Sequence, residues 1–487
     1  MSHAHFSLGP GTYAVPMSLH AENRRRLVDR LRARGVAPGA VVLLQGGEQR
    51  CEYDTDREEL FKQESFFQWT FGVKEPGFFG AIEVGSGRSW LFAPRLPAEW
   101  AVWMGAIHPP EHFRALYEVD EVRHVDELAA VLAKVDAKPL LRLRGRNTDS
   151  GAWAEPARFE GIEKFATDDE VLHPEMVECR VIKSAAEVEL LAWVNEVSSA
   201  AHVAVMKKIR PGLSEYHLEA DFLHHVYANG GCRFSAYTCI CGCGPNSATL
   251  HYGHAGAPND RVLRDGDLFL NDSGAEYHGY ASDITCSYPV NGRFTPEQRM
   301  VYEAVLAANR AVQAAMKPGV AWPDMHRLAE RTILQHLVRG GLLRGEIDAM
   351  MAARVPYVFM PHGLGHLMGL DVHDVGGYPA GVERSPELGL KSLRCGRALE
   401  AGMVITVEPG IYFVDALLEP ALGDPKLKPF LVEDVVRRFR GFGGVRIEDD
   451  VLVTPTGSRN LTNVPREVDE IERVMAEGRR ATEPVLA

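Results

Sequence analysis

Leu263-Arg-Asp-Gly-Asp-Leu-Phe-Leu-Asn-Asp272 and Leu399-Glu-Ala-Gly-Met-Val-Ile-Thr-Val-Glu408 are two versions of one pattern. In each, a glycine follows the leucine by three residues, a strand-like apolar run follows the glycine, and a carboxylate stands six residues past it. Gly274 and Gly410 close the two stretches. The likeness extends outward. Residues 206–231 read as a helix end, a Pro211-Gly212 turn, a second helix and a Gly230-Gly231 stop, and residues 316–341 repeat that plan with Pro318-Gly319 and Gly340-Gly341. A Gly-His pair precedes each strand, Gly253-His254 in one copy and Gly365-His366 in the other. Self-similarity on this scale marks duplicated units that bury their apolar faces against each other. The second part of the chain therefore reads as two diverged copies around a shared centre.

The remaining sequence sorts around this repeat. A chain of 487 residues exceeds the ~250 to 300 at which single cores stop growing, so two domains are expected. Residues 24–34 and 125–135 read as helices, and 40–44, 79–84 and 89–92 as short apolar strands, an α/β pattern. A polar stretch with Pro156, Gly161 and Pro174 follows, and the capping box Ser184-Ala-Ala-Glu187 opens a long helix to about residue 208. The expected division is 1–175 and 176–487. A second capping box, Thr295-Pro-Glu-Gln298, starts a helix to about residue 316. Strands are expected at 267–271, 284–288, 403–407 and 445–454, so the second domain is α+β.

Composition narrows the function class. The hydrophobic fraction of 46% supports sizeable cores, and the net charge of −13 argues against nucleic acid and anionic membrane as partners. No run approaches the ~18 apolar residues of a membrane span, and Met1-Ser-His-Ala-His5 lacks the basic and apolar regions of a secretory signal. A cytoplasmic protein is expected, with its eight cysteines as thiols. Cys239, Cys241 and Cys243 alternate along a strand, but without a distant second pair they read as semi-buried thiols rather than a zinc site.

The chemistry-bearing residues are acids on apolar strands. Asp272 and Asp283 lie eleven apart with Gly274 and Gly279 between them, a spacing that a hairpin return brings together. Two close carboxylates repel unless a proton or cation lies between them. Glu408 and Glu448 add two more acids on strands rich in β-branched residues, and buried acids need partners. Four carboxylates and the His366 imidazole suit two divalent cations of hard or borderline type, manganese favoured over cobalt, iron or zinc. Two such ions about 3.5 to 4 Å apart ionise a bridging water near neutral pH, giving a hydroxide that attacks a carbonyl. No G-x-S-x-G elbow, P-loop or dinucleotide fingerprint competes with this reading. The run His108-Pro-Pro-Glu-His112 matches the H-x-x-E-H spacing of some zinc proteases, but Pro109-Pro110 interrupts the helix that pattern requires.

At these residues the chain resembles the pita-bread metallopeptidase family, its animal prolidase branch in particular. The resemblance rests on Leu250-His-Tyr-Gly-His-Ala-Gly-Ala-Pro-Asn-Asp260, Tyr280-Ala-Ser-Asp-Ile-Thr-Cys-Ser287, Pro361-His-Gly-Leu-Gly-His366, Asp371-Val-His-Asp-Val-Gly-Gly377 and Thr406-Val-Glu-Pro-Gly-Ile-Tyr-Phe413. It reaches the first domain through residues 57–76 and Trp103-Met-Gly105. It implies an α+β pita-bread catalytic domain of two pseudo-symmetric halves behind an α/β creatinase-like N-terminal domain. The implied activity is hydrolysis of Xaa-Pro dipeptides to an amino acid and proline, with cleavage of longer Xaa-Pro peptides as the alternative. A metal-free interaction protein on this fold is expected to have lost ligands, whereas all five positions are kept. The implied metal ligands are Asp272, Asp283, His366, Glu408 and Glu448, holding two divalent ions per subunit. His251, His373 and Arg394 are the implied substrate-binding residues. Arg394 would grip the proline carboxylate, His373 would donate to the scissile carbonyl oxygen, and Glu408 would relay a proton to the leaving nitrogen. His362, His254 and Arg446 would orient the ligands. A homodimer is implied as well, with Trp103 reaching the neighbouring subunit.

Overall fold

The computed structural model of the protein describes residues 4–482; the start, Met1-Ser-His3, read above for targeting, lies outside them. The chain divides into two compact units, Met1–Glu187 and Val188–Ala487.

In the first unit the apolar run Val41–Gln45 lies inside a six-stranded mixed sheet, in the order Thr167–Asp168, Leu140–Arg142, Val41–Gln45, Phe79–Glu83, Ser89–Ala93 and Glu121–His124. It pairs parallel to Leu140–Arg142 and antiparallel to Phe79–Glu83. Val41 to Leu44 are all buried, which explains a continuous rather than alternating apolar run. Helix Ser18–Ala33 begins six residues ahead of the expected 24–34. The cause is a buried polar face: His20 and Asn23 bond to the Trp69 carbonyl and Arg24 to that of Thr70, which hides the apolar period. The expected helix 125–135 opens as a 3₁₀ turn, Val125–Glu127, before Leu128–Lys134. Helix Pro110–Tyr117 starts at the second proline, so no one helix carries both His108 and His112.

The second unit is built on the repeat. Helix Ala185–Lys208 starts with Ser184 and Glu187 exchanging bonds: the Glu187 N–H donates to Ser184 Oγ at 3.3 Å and the Ser184 N–H to Glu187 Oε2 at 2.8 Å. Thr295 and Gln298 do the same at 3.2 and 3.0 Å ahead of helix Pro296–Ala315. Their partners are Glu215–Gly230 and Trp322–Arg339. The turn joining each pair is pinned identically. Gly212 N–H donates to the Leu263 carbonyl at 3.0 Å and Leu263 N–H to that of Leu213 at 2.8 Å; Gly319, Leu399 and Val320 make the same two bonds, both 2.8 Å. The copies share hydrogen bonds as well as sequence.

Strand Leu268–Asp272 runs between Ile240–Cys243 and Thr285–Pro289, antiparallel to both, with Asp272 opposite Thr285. The return is made by a small hairpin, Ala275–Tyr277 with Tyr280–Ala281. In the other copy Val404–Val407 pairs with Asp449–Val453. The expected strand 445–454 is not continuous. Gly444–Arg446 pairs with Gly410–Tyr412, whereas Asp449–Val453 pairs with Val404–Val407 in another sheet. The break falls opposite Pro409, which has no N–H for the ladder, and Glu448 turns there to donate its N–H to the Thr285 carbonyl at 3.2 Å.

Glycines permit the close approaches. A Cβ on Gly274 would stand 1.8 Å from the Ser282 carbonyl oxygen, so this strand end and the return loop touch backbone to backbone. Gly274→Ala is expected to destabilise the unit by roughly 2 to 3 kcal/mol through overpacking. Gly423→Ala, with nothing within 4 Å of the new Cβ, serves as the neutral control. Equal thermal melting of the two variants would show that no such contact exists in solution.

Candidate metal centre

The duplicated strands aim their acids at one point. Asp272 ends strand Leu268–Asp272, and Asp283 follows the hairpin that returns to it. The Tyr237 hydroxyl lies 2.6 Å from Asp272 Oδ1 and 2.5 Å from Asp283 Oδ1, so its single proton serves one carboxylate at a time. From the other copy come His366, Glu408 and Glu448. Asp283, His366 and Glu448 have ligand atoms within 4.8 Å of one another. His366 Nε2 stands 3.4 Å from Asp283 Oδ2 and 3.8 Å from Glu408 Oε1. Of the five expected ligand positions Asp283, His366 and Glu448 thus cluster directly, and Glu408 and Asp272 adjoin them through His366 and through the shared Tyr237 hydroxyl.

Supporting bonds fix the orientations. Arg446 donates to Asp272 Oδ2 at 2.5 Å, to Thr285 Oγ1 at 3.1 Å and to the Tyr412 hydroxyl at 2.8 Å. The Thr285 hydroxyl in turn donates to Glu448 Oε2 at 2.7 Å. Asp450 accepts the Asp283 N–H at 2.9 Å. Thr406 accepts the His366 N–H at 3.1 Å, and a Cβ on Gly365 would come within 2.0 Å of the Thr406 carbonyl oxygen, so the histidine rides directly on strand Val404–Val407. His366 Nδ1 is 3.1 Å from the Leu367 carbonyl and therefore donates to it, which directs Nε2 at the carboxylates.

The electrostatics are those of crowded negative charge. Burial raises the Glu448 carboxyl well above the usual range, and the charges of Asp283, Glu408 and Asp272 push it further. Burial likewise raises Glu408 and Asp272, against the pull of His366 and of Arg446 respectively. Burial pulls His366 down, but its bond to Asp283 and the Glu408 charge prevail and lift it to about 9. Arg446 and a protonated His366 together offset at most two of the four carboxylates, so the cluster attracts further positive charge. Oxygen-rich donors with one ring nitrogen directed inward fit divalent cations of the hard or borderline class.

His373 lies against this group, its ring centroid 4.4 Å from that of His366. Burial and the neighbouring charges of His366 and Arg394 lower it to about 3. His251 is lowered by burial, then by Arg446 and Arg394, so Arg394 stands within electrostatic reach of both imidazoles. His362 is half-buried, with Nδ1 2.7 Å from the Gly363 carbonyl and 3.7 Å from Glu408. His254 is exposed and accepts the Gly256 N–H, away from the carboxylates, although it matches His366 in the repeat. The three alternating cysteines are buried free thiols, and Cys239 precedes the strand Ile240–Cys243 rather than lying on it.

Tyr237, Thr285, Thr406 and Asp450 were not singled out from the sequence. Asp450 had a signal, as the third of three consecutive acids, Glu448-Asp-Asp450, in an otherwise apolar stretch. Tyr237 had none, because it becomes a site residue only when a distant strand pairing places it.

Comparison with known proteins agrees with this geometry. The family model described as metallopeptidase family M24 matches residues 189–455, and that described as the aminopeptidase P N-terminal domain matches residues 20–140. The chain is 58% identical to an Xaa-Pro dipeptidase of Homo sapiens over 97% of its own length and 96% of the relative's. It is 56% identical to one of Rattus norvegicus, over 98% of each. The solved structure of aminopeptidase PepP from Pseudomonas aeruginosa superimposes with a TM-score of 0.77 at 33% identity, covering 96% of this chain and 99% of that one. The chain belongs to metallopeptidase family M24 and carries an N-terminal domain of the aminopeptidase P type.

Proposed function

We propose that this protein is an Xaa-Pro dipeptidase, splitting such dipeptides into an amino acid and proline. The observation that carries the reading is the cluster of Asp283, His366 and Glu448, adjoined by Glu408 and Asp272 and lying beside His373. The substrate class follows from identity: 58% to a protein named Xaa-Pro dipeptidase against 33% to one named aminopeptidase.

In this reading the catalytic module is residues 176–487, preceded by the module of residues 1–175. The five residues would hold two divalent ions per subunit, manganese by preference. When bound, the ions would supply the means to acidify a water and to polarise the scissile carbonyl. The chain's own residues do the rest. His373, neutral at pH 7 because of its burial, donates an N–H to the carbonyl oxygen as negative charge develops there. Glu408 moves the proton to the leaving proline nitrogen. Its side chain is 17% exposed against 8% for Asp283, so it is the more open to the reacting groups. Arg394 pairs with the free carboxylate of proline, and His251 lines the same side. A chain extended past proline has no carboxylate at that place, which confines the substrate to dipeptides.

We further propose a cytosolic homodimer. Cys51, Cys179, Cys232, Cys239, Cys241, Cys243 and Cys286 are free thiols, which suits a reducing compartment. Among the described residues no helix is long and apolar enough to cross a membrane. Val102, Trp103 and Met104 are 78%, 84% and 54% exposed, an apolar surface of the kind a second copy would cover.

Four outcomes are expected. Gly-Pro should be cleaved far faster than Gly-Pro-Gly, and faster cleavage of the tripeptide would make this an aminopeptidase. Glu408→Ala should reduce bound metal, and should lower activity beyond the ~10 to 100-fold typical of losing an outer partner. In the same assay, wild-type apoprotein reloaded with manganese should recover more activity than with cobalt or zinc; unchanged metal content and activity in the variant would remove Glu408 from the site. Light scattering should give a dimer, and a fully active stable monomer would overturn that assignment.

A further inference from the structure

Helix Trp322–Arg339 carries His326 and Glu330 one turn apart, both fully buried, with His326 Nε2 3.1 Å from Glu330 Oε1. Glu330 receives both terminal nitrogens of Arg354, Oε2 at 2.9 Å from NH1 and Oε1 in a short contact with NH2. Arg354 sits just past helix Ile347–Ala352 at φ +60, a conformation that an arginine seldom adopts. Its remaining donors all reach one turn. Nε and NH2 donate to the Leu388 carbonyl at 2.9 and 2.6 Å, and NH1 is 3.1 Å from Glu387 Oε1. Gly389 packs onto the same guanidinium, since a Cβ there would stand 2.8 Å from NH2 and 3.1 Å from Glu330 Oε1. The turn continues as Leu390–Ser392 and then delivers Arg394. Beyond it the chain has little slack: a Cβ on Gly363 would be 2.7 Å from Leu393 Cα, and one on Gly377 2.0 Å from the Arg394 carbonyl oxygen.

We infer that Arg354, held by Glu330, is a positioning residue for recognition of the substrate carboxylate: it fixes the Glu387–Gly389 turn from which Arg394 is presented. This rests on the reading of Arg394 as the partner of the proline carboxylate. A planar fork that bonds a carboxylate and a carbonyl at once sets the height and the angle of the turn, which a lysine, with a single ammonium, reproduces only in part. A misplaced Arg394 weakens binding of the carboxylate while leaving the metal ligands where they are.

The test uses the full-length, metal-loaded enzyme and compares Gly-Pro with Gly-Pro-amide, which lacks the carboxylate, at enzyme concentrations high enough to follow the slower substrate. Arg354→Met should raise KM for Gly-Pro about 10-fold or more with kcat within 3-fold, the scale of one or two charge-assisted bonds. Its kcat/KM for the amide should stay within about 2-fold, so the preference for the free acid collapses toward that of Arg394→Met. Arg354→Lys should recover part of it. A double variant, Glu330→Gln with Arg354→Met, leaves no buried charge unpaired and gives the same readout if the single variant does not fold. Equal losses on both substrates, or a fall confined to kcat, would make Arg354 a merely structural residue and overturn the inference. If instead Arg394→Met keeps the wild-type preference, the carboxylate role of Arg394 itself is wrong, a failure distinct from that of Arg354.

Discussion

Four carboxylates, three of them buried and Glu408 partly so, crowd around one imidazole and repel one another, and the bonds about them hold them there. An isolated acid in an apolar strand is expensive to bury, and four together are worse unless positive charge is shared among them. The fold meets part of that cost with Arg446, whose guanidinium is spread over Asp272, Thr285 and Tyr412, and with hydroxyls at Tyr237, Thr285 and Thr406. The remainder is the affinity for divalent cations on which metallopeptidase chemistry depends.

Duplication explains how such a site forms. One helix-turn-helix-strand unit presents a strand with an acid at its end; two copies facing each other bring Asp272 and Glu408 together from equivalent positions. The copies have since diverged. His366 of one copy is buried at the centre, whereas its counterpart His254 is exposed and caps its own turn. The two halves, with the same backbone plan, thus contribute unequally to the centre, and the longer approach to the second strand, through the Glu387–Gly389 turn, carries Arg394.

Backbone contact is the second constraint. Gly274, Gly365 and Gly377 each admit a carbonyl oxygen at a distance no side chain permits, so acid, imidazole and arginine are carried by chain segments packed directly on one another. Such segments cannot shift singly. The site is consequently rigid where it holds charge, as catalysis by prearranged groups requires.

Local signals in the sequence determined the repeat, the two capping boxes, the apolar strands and the types of donor, because each depends on neighbours within a few residues. The boundary of helix Ser18–Ala33 was hidden, since its buried face is partly polar and bonds to carbonyls some fifty residues away. The continuous strand expected over 445–454 also failed, because its break is imposed by Pro409 in the opposing strand. Tertiary structure alone decided that His254 lies exposed on its own turn, that the Tyr237 hydroxyl is shared by Asp272 and Asp283, and that Arg354 grips the turn leading to Arg394. Those choices depend on strand pairing and burial between segments far apart in the chain, and no local period or spacing encodes them.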